Sequence, residues 1–332
     1  MAKYKSLKGQ PIQVLTADPP APVEGQVWVV AAPGTASVMK GYRLGAGTWA
    51  TGGNLNTGRK HITLAGTQTA AIVAGGYITS TDAVSALSEE YDGSSWAEGN
   101  NLNTGRIYHS TFGIQTAAVL VGGLTLGPTT YRNNSESYNG TSWSEGNNLN
   151  TARHNAAMSF GIQTAAIVAS GDTPPYTTAV ESYNGTSYTE ITNVNTGRQF
   201  GASAGVSTDG LIYSGNNSPG IIGNTETWNG TAWTEVNDVN TGRSLMIGAG
   251  SSTAAIIGGG NVPPDNQVVA ELWDGSSWTE VNNLNTATRG AAGFGSSTAA
   301  LSVGGRVPPN TPSAKNESWN GSWQVLELQH QV

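Results

Sequence analysis

The sequence predicts an all-β fold, a six-bladed β-propeller with a short N-terminal β arm. Two observations carry this expectation: a sixfold internal repeat, and a strand-and-turn signature in every copy with few helix formers. Self-similarity at a fixed period of 20–50 residues decides the architecture before any other signal. The segment Asn54-Leu55-Asn56-Thr57-Gly58-Arg59 returns at 101–106, 148–153, 193–198 and 238–243, and at 283–289 with one residue inserted. Its arginines, Arg59, Arg106, Arg153, Arg198, Arg243 and Arg289, stand 45–47 residues apart. An aromatic marker follows each: Trp96, Trp143, Tyr188, Trp233, Trp278 and Trp323.

Within a repeat, a small-residue strand such as 244–249 comes first. Next is an unbroken apolar run such as 69–76, which suggests a strand buried on both faces. A loop of varying sequence precedes a hairpin around Asp92-Gly93, Asn139-Gly140, Asn184-Gly185, Asn229-Gly230, Asp274-Gly275 or Asn320-Gly321. These pairs predict two-residue type I′ turns, which need positive φ at both centres. Four short strands per repeat fit a propeller blade, and six repeats fit a closed ring. The expected boundary sets an arm with a closing hairpin, Tyr42 to Trp49, over residues 1–50, and a propeller over 51–332.

Composition excludes several classes. The 332 residues contain no Cys, which removes disulfides, cysteine nucleophiles and thiolate metal sites. The net charge of −7, with 15 scattered basic residues, lacks the basic footprint of a nucleic-acid binder. No apolar run is long enough to cross a membrane as a helix. No secretory signal peptide is evident, so synthesis in the cytoplasm is expected.

Paired glycines at Gly75-Gly76, Gly122-Gly123, Gly258-Gly259 and Gly304-Gly305, followed by spaced aromatics, resemble the kelch repeat. Repeats three and four carry Ser170-Gly171 and Ser214-Gly215 instead. The arm's Glu24-Gly25-Gln26-Val27-Trp28 is similar to N-terminal segments of phage tail and appendage proteins. Joined to the Asn-Thr-Gly-Arg propeller, the chain resembles kelch-like virion proteins of marine bacteriophages. The resemblance implies a structural, non-enzymatic virion protein, tail-associated or a surface appendage, present in multiple copies. A capsid decoration protein is the alternative, and a glycan-active enzyme a more distant one.

Each repeat has one glutamate two residues before its hairpin aromatic: Glu89, Glu136, Glu181, Glu226, Glu271 and Glu317. One Arg and one Glu per blade suggest structural ion pairs rather than an anion-binding ring. A second series, Glu98, Glu145, Glu190, Glu235 and Glu280, reads as solvated outer-strand charge that deters edge pairing. His61, His109 and His154 follow their arginines at changing offsets, which argues against a shared metal site. No phosphate loop or nucleophile elbow is present. Neither a cofactor nor a metal is expected. Recognition is expected on the divergent loops, with Tyr77, Tyr131, Arg132, Tyr176, Asn217, Asp265 and Arg306 as candidate contacts to a host glycan or protein. The apolar run Val27-Trp28-Val29-Val30 is the candidate anchor to other virion proteins through residues 1–50.

Overall fold

The apolar runs become the second strand of each blade and are the most deeply buried segments; Ala71–Ala74 and Ala255–Gly258 are buried at every position. The computed structural model describes residues 12–19, 26–31, 37–44, 47–78, 80–126, 129–154, 158–173, 176–218, 220–309, 311–321 and 323–327. It divides into two units, residues 48–320 and residues 1–47 with 321–332.

The larger unit is the propeller. Six four-stranded antiparallel sheets follow one another, for example Thr63–Gly66, Ala71–Ala74, Ser88–Tyr91 and Trp96–Glu98 in blade one. Innermost strands lie beside one another around the ring, and that of blade six, Ala292–Gly295, returns to that of blade one. Adjacent blades bury their facing side chains together. Leu301 and Val303 of blade six pack with Leu64, Val73 and Tyr91 of blade one. Among the described residues, the loop between second and third strands forms a two-stranded ribbon in four blades, such as Tyr77–Ile78 with Ala83–Val84.

Blade six corrects the expected chain ends. Its outer strand is Thr48–Thr51, which pairs with Asn316–Asn320 so that Trp49 opposes Trp319. Their rings lie 5.5 Å apart, matching 4.8 Å for Tyr91 and Trp96 in blade one. The sixth aromatic marker is therefore Trp49, not Trp323, and Asn320-Gly321 is no blade hairpin. Tyr42 and Trp49 likewise fall in different sheets.

The smaller unit has its own sheet, ordered Gln13–Leu15, Val27–Val30, Val38–Leu44 and Trp323–Glu327. The residues after Asn320 thus belong with the arm, and the boundary falls at 47/48 and 320/321. Trp28 is fully buried, and its Nε1 donates to Asp18 at 3.0 Å. The run Val27 to Val30 is a central strand, with Val27, Val29 and Val30 half-buried. Trp28 therefore packs this unit's interior and is not an exposed anchor. The exposed apolar side chains here are Ile12, Val14 and Met39.

Hairpin geometry also differs from expectation. Tyr91 pairs with Trp96, leaving four residues between the strands. Gly93 has φ +95, while Asp92 does not enter positive φ. The Asp92 carboxylate instead accepts the backbone N–H groups of Ser94 and Ser95, a side-chain-capped turn. Asn139 does the same with Thr141 and Ser142.

Candidate functional site at the channel mouth

The motif arginines come first, because they decide what remains for function. Arg59 is fully buried. Its Nη2 meets Glu89 at 2.7 Å, and its Nη1 donates to the carbonyls of Gly75 and Leu87. Glu89 also accepts the backbone N–H groups of Asn56 and Thr57, while Asn56 Nδ2 donates to Trp96 O. The motif backbone reaches the preceding blade, with Arg59 N on Ser313 O and Gly305 N on Arg59 O. Each copy therefore staples two blades. Arg106, Arg153, Arg198 and Arg243 repeat the arrangement with Glu136, Glu181, Glu226 and Glu271. Burial lowers the pKa of all five arginines, and the paired glutamate opposes that shift. The second glutamate series lies directly opposite the first across the outer strands, as Glu98 does Glu89, and supports the arginine electrostatically.

Arg289 departs from this pattern. Gly260 N bonds to Thr288 O, as Gly76 N does to Arg106 O, so Thr288 fills the sixth arginine position. The inserted residue moves Arg289 one place along the chain, and Glu317 keeps the bonds from Asn285 N and Nδ2 that the motif asparagine also makes in other copies, without the arginine. The fifth glycine pair shifts similarly: positive φ falls at Gly259 and Gly260, not at Gly258.

The six inner strands are sheet edges, and they line a cavity of about 290 Å³. Short side chains suit a wall made of backbone. Thr63 and Thr111 hydroxyls lie 2.6 Å apart, and Ser110 donates to Ser159 at 2.6 Å. At one end Ile114, Ile162 and Val206 are exposed.

The other end is narrowed by a collar. His61 N donates to Gly290 O, Tyr108 N to His61 O, Leu245 N to Phe200 O and Gly290 N to Leu245 O. All five residues have φ between 55° and 63°. Position 155, the blade-three equivalent, lies outside the described residues. Positive φ in four non-glycine residues costs about 1–2 kcal/mol each, and the collar's hydrogen bonds hold it. The His61 and Tyr108 rings lie 4.2 Å apart, with Nε2 and the hydroxyl at 3.1 Å.

A cationic corner adjoins this collar at the junction of blades six and one. Arg289 and Arg306 face each other in an antiparallel bridge, as Lys60 and Tyr77 do in the next blade. Lys60 is 9% exposed, and its Nζ lies 4.7 Å from the Tyr77 ring centre. Burial, then the charges of Arg306, Lys60 and Arg289, push His61 down to about 3. It is neutral at neutral pH and is no general acid there. Burial first, and then repulsion from Arg306 and Arg289, lowers Lys60.

The expected rim residues do not converge on one site. Tyr131 is exposed and stacks on His154 at 4.2 Å, Arg132 donates to Thr125, and Tyr176 accepts from Gln199. Asn217 N donates to Gly220 O within its own loop, and Asp265 is exposed in the blade-five ribbon. Pro174-Pro175 lies outside the described residues. Only Tyr77 and Arg306 join the corner. Sequence reading missed Lys60, Tyr108, Phe200 and Leu245, because the collar position carries a different residue type in each copy. The insertion before Arg289 was the one visible signal. The three histidines are apart in role: His61 bonds Tyr108, His154 stacks on Tyr131, and His109 is fully buried.

Fold and channel together define a kelch-like β-propeller. The chain is similar to the kelch propeller YjhT, with a TM-score of 0.69 and 12% identity over 82% of this chain and 99% of that one. No family model and no curated protein sequence matches it.

Proposed function

We propose that the chain is a structural bacteriophage protein, a tail-associated part or surface appendage. The unit holding the arm joins the particle, and the propeller rim contacts the host surface. The supporting observation is the contrast within each repeat. The Arg–Glu staples and aromatic pairs recur and are buried, while the rim ribbons diverge and expose groups such as Leu126 and Tyr131. Divergence confined to loops on a rigid frame suits recognition. The proposed role is binding without catalysis: burial lowers the basicity of His61 and raises the pKa of the Tyr108 hydroxyl, which disfavours a histidine-activated phenolate nucleophile at the mouth. Cryo-EM and mass spectrometry of purified particles test this: six-bladed density on tail or surface is expected, and absence of the chain from particles defeats the reading. Removing residues 1–35 should leave a folded propeller that no longer incorporates; normal incorporation would make the propeller itself the docking element.

A further inference from the structure

Blade six breaks the repeat once, and the break moves a charge. In five blades the motif arginine points into its own blade and meets a glutamate. In the sixth, the inserted residue brings Arg289 to the rim side of the collar. There it stands opposite Arg306, which begins the ribbon Arg306–Val307. The same bridge in other blades joins Ile107 to Leu124, His154 to Asp172, Gln199 to Asn216 and Ser244 to Asn261. None of those pairs is cationic on both sides at neutral pH.

Like charges directly opposite across strands are destabilising. Here a third cation lies close by: Gly305 N bonds Arg59 O, which places Arg306 and Lys60 on neighbouring residues of adjoining blades. Lys60 is nine-tenths buried against Tyr77. Among the described residues, the buried Nε of Arg306 has no acceptor. Arg289 Nη1 donates to Asn261 Oδ1, so one guanidinium is already oriented by the fold. Among the described residues, no carboxylate forms a salt bridge with Lys60 or Arg306.

We propose that Lys60, Arg289 and Arg306 form a binding site for a dianionic tetrahedral oxyanion, a phosphate or sulfate group. The Arg306 guanidinium supplies a planar fork of N–H donors, Arg289 adds its charge from the position where Asn261 holds it, and the Lys60 ammonium adds a point charge. Asp82 is the smallest of the influences on Lys60, so a dianion offsets more of the repulsion among these cations than a monoanionic carboxylate does. The group is free in solution or carried on a larger ligand.

Isothermal titration of the full chain with inorganic phosphate, sulfate, glucose 6-phosphate and glucuronate tests this. Phosphate and sulfate should bind with one site per chain, and Arg306→Ala should weaken both about tenfold or more. Arg306→Gln keeps the side-chain bulk and should lose binding while melting with the parent, which separates loss of charge from misfolding. Glucose 6-phosphate binding more tightly than phosphate identifies a carried group, and equal binding a free ion. Glucuronate binding as tightly as phosphate would overturn the assigned class. No heat with phosphate or sulfate, or undiminished binding to Arg306→Gln, would overturn the site.

Discussion

At the scale of residues, charges in the blades are placed in sets. Where Thr288 replaces the arginine, Thr51 stands opposite Glu317 in the place of the second glutamate. Blade six has therefore lost the cation and one anion together, and among the described residues Glu317 accepts from Asn285 alone. A void of about 10 Å³, lined by Thr288, Gly304, Ser313, Lys315 and Glu317, marks the missing side chain. Thr288→Arg should reach Glu317 and the carbonyls of Gly304 and Lys315, raising the unfolding free energy by about 1 kcal/mol. A lower urea midpoint would contradict this. In an intact blade, Arg153→Ala strands Glu181 in the interior and should cost about 3–5 kcal/mol, measured in the same titration. The buried histidines add an acid dependence. His61 and His109 are both depressed to about 3 from 6.5, chiefly by burial. Below pH 6.5 the unfolded chain takes up protons that the folded chain refuses until near pH 3. Stability should fall through that window by up to about 1.4 kcal/mol per pH unit for each histidine. Replacing His109 by Gln should reduce the slope of melting temperature against pH.

At the scale of elements, what was legible depended on repetition. The buried second strand, the Arg–Glu pairing and the aromatic pairs recur in register, so agreement among copies exposed them. Turn geometry was misread because Asn-Gly and Asp-Gly satisfy two different loops, and only the strand register separates them. Tyr138 opposing Trp143 fixes four loop residues, with Gly140 at φ +88. Gly140→Ala should therefore cost about 1–2 kcal/mol, visible as a lower melting temperature. The collar was illegible for the opposite reason. His61, Tyr108, Phe200 and Leu245 share a backbone conformation and, with Gly290, a run of hydrogen bonds from one to the next, but no side-chain chemistry. A backbone role leaves no residue pattern to read. Arg289 fell between the two cases: its insertion was visible, but which residue took the buried position required the hydrogen bonds of Thr288.

At the scale of the whole molecule, the propeller ring is closed by strands from distant parts of the sequence. Thr48–Thr51 completes the sheet that ends at Asn320, with Glu317 opposite Thr51 and Asn320 opposite Thr48. This also explains why Trp323 imitates the repeat without serving it, since the closing tryptophan comes from the other side of the motif array. Trp49 is 7% exposed and Trp319 fully buried, and Asn285 Nδ2 donates to Trp49 O. The closing strand thus completes an aromatic pair, a ladder and the sixth motif loop together. A chain of residues 48–320 contains every propeller strand and should unfold in one cooperative transition close to that of the full chain. A chain of residues 52–320 lacks the closing strand. It leaves Trp319 facing water and an unpaired sheet edge, and should lose at least about 3–5 kcal/mol, the scale of removing one buried tryptophan. Urea titration followed by tryptophan fluorescence separates the two chains. Equal midpoints would mean that the ring is held by its blade interfaces and not by the strand that closes it.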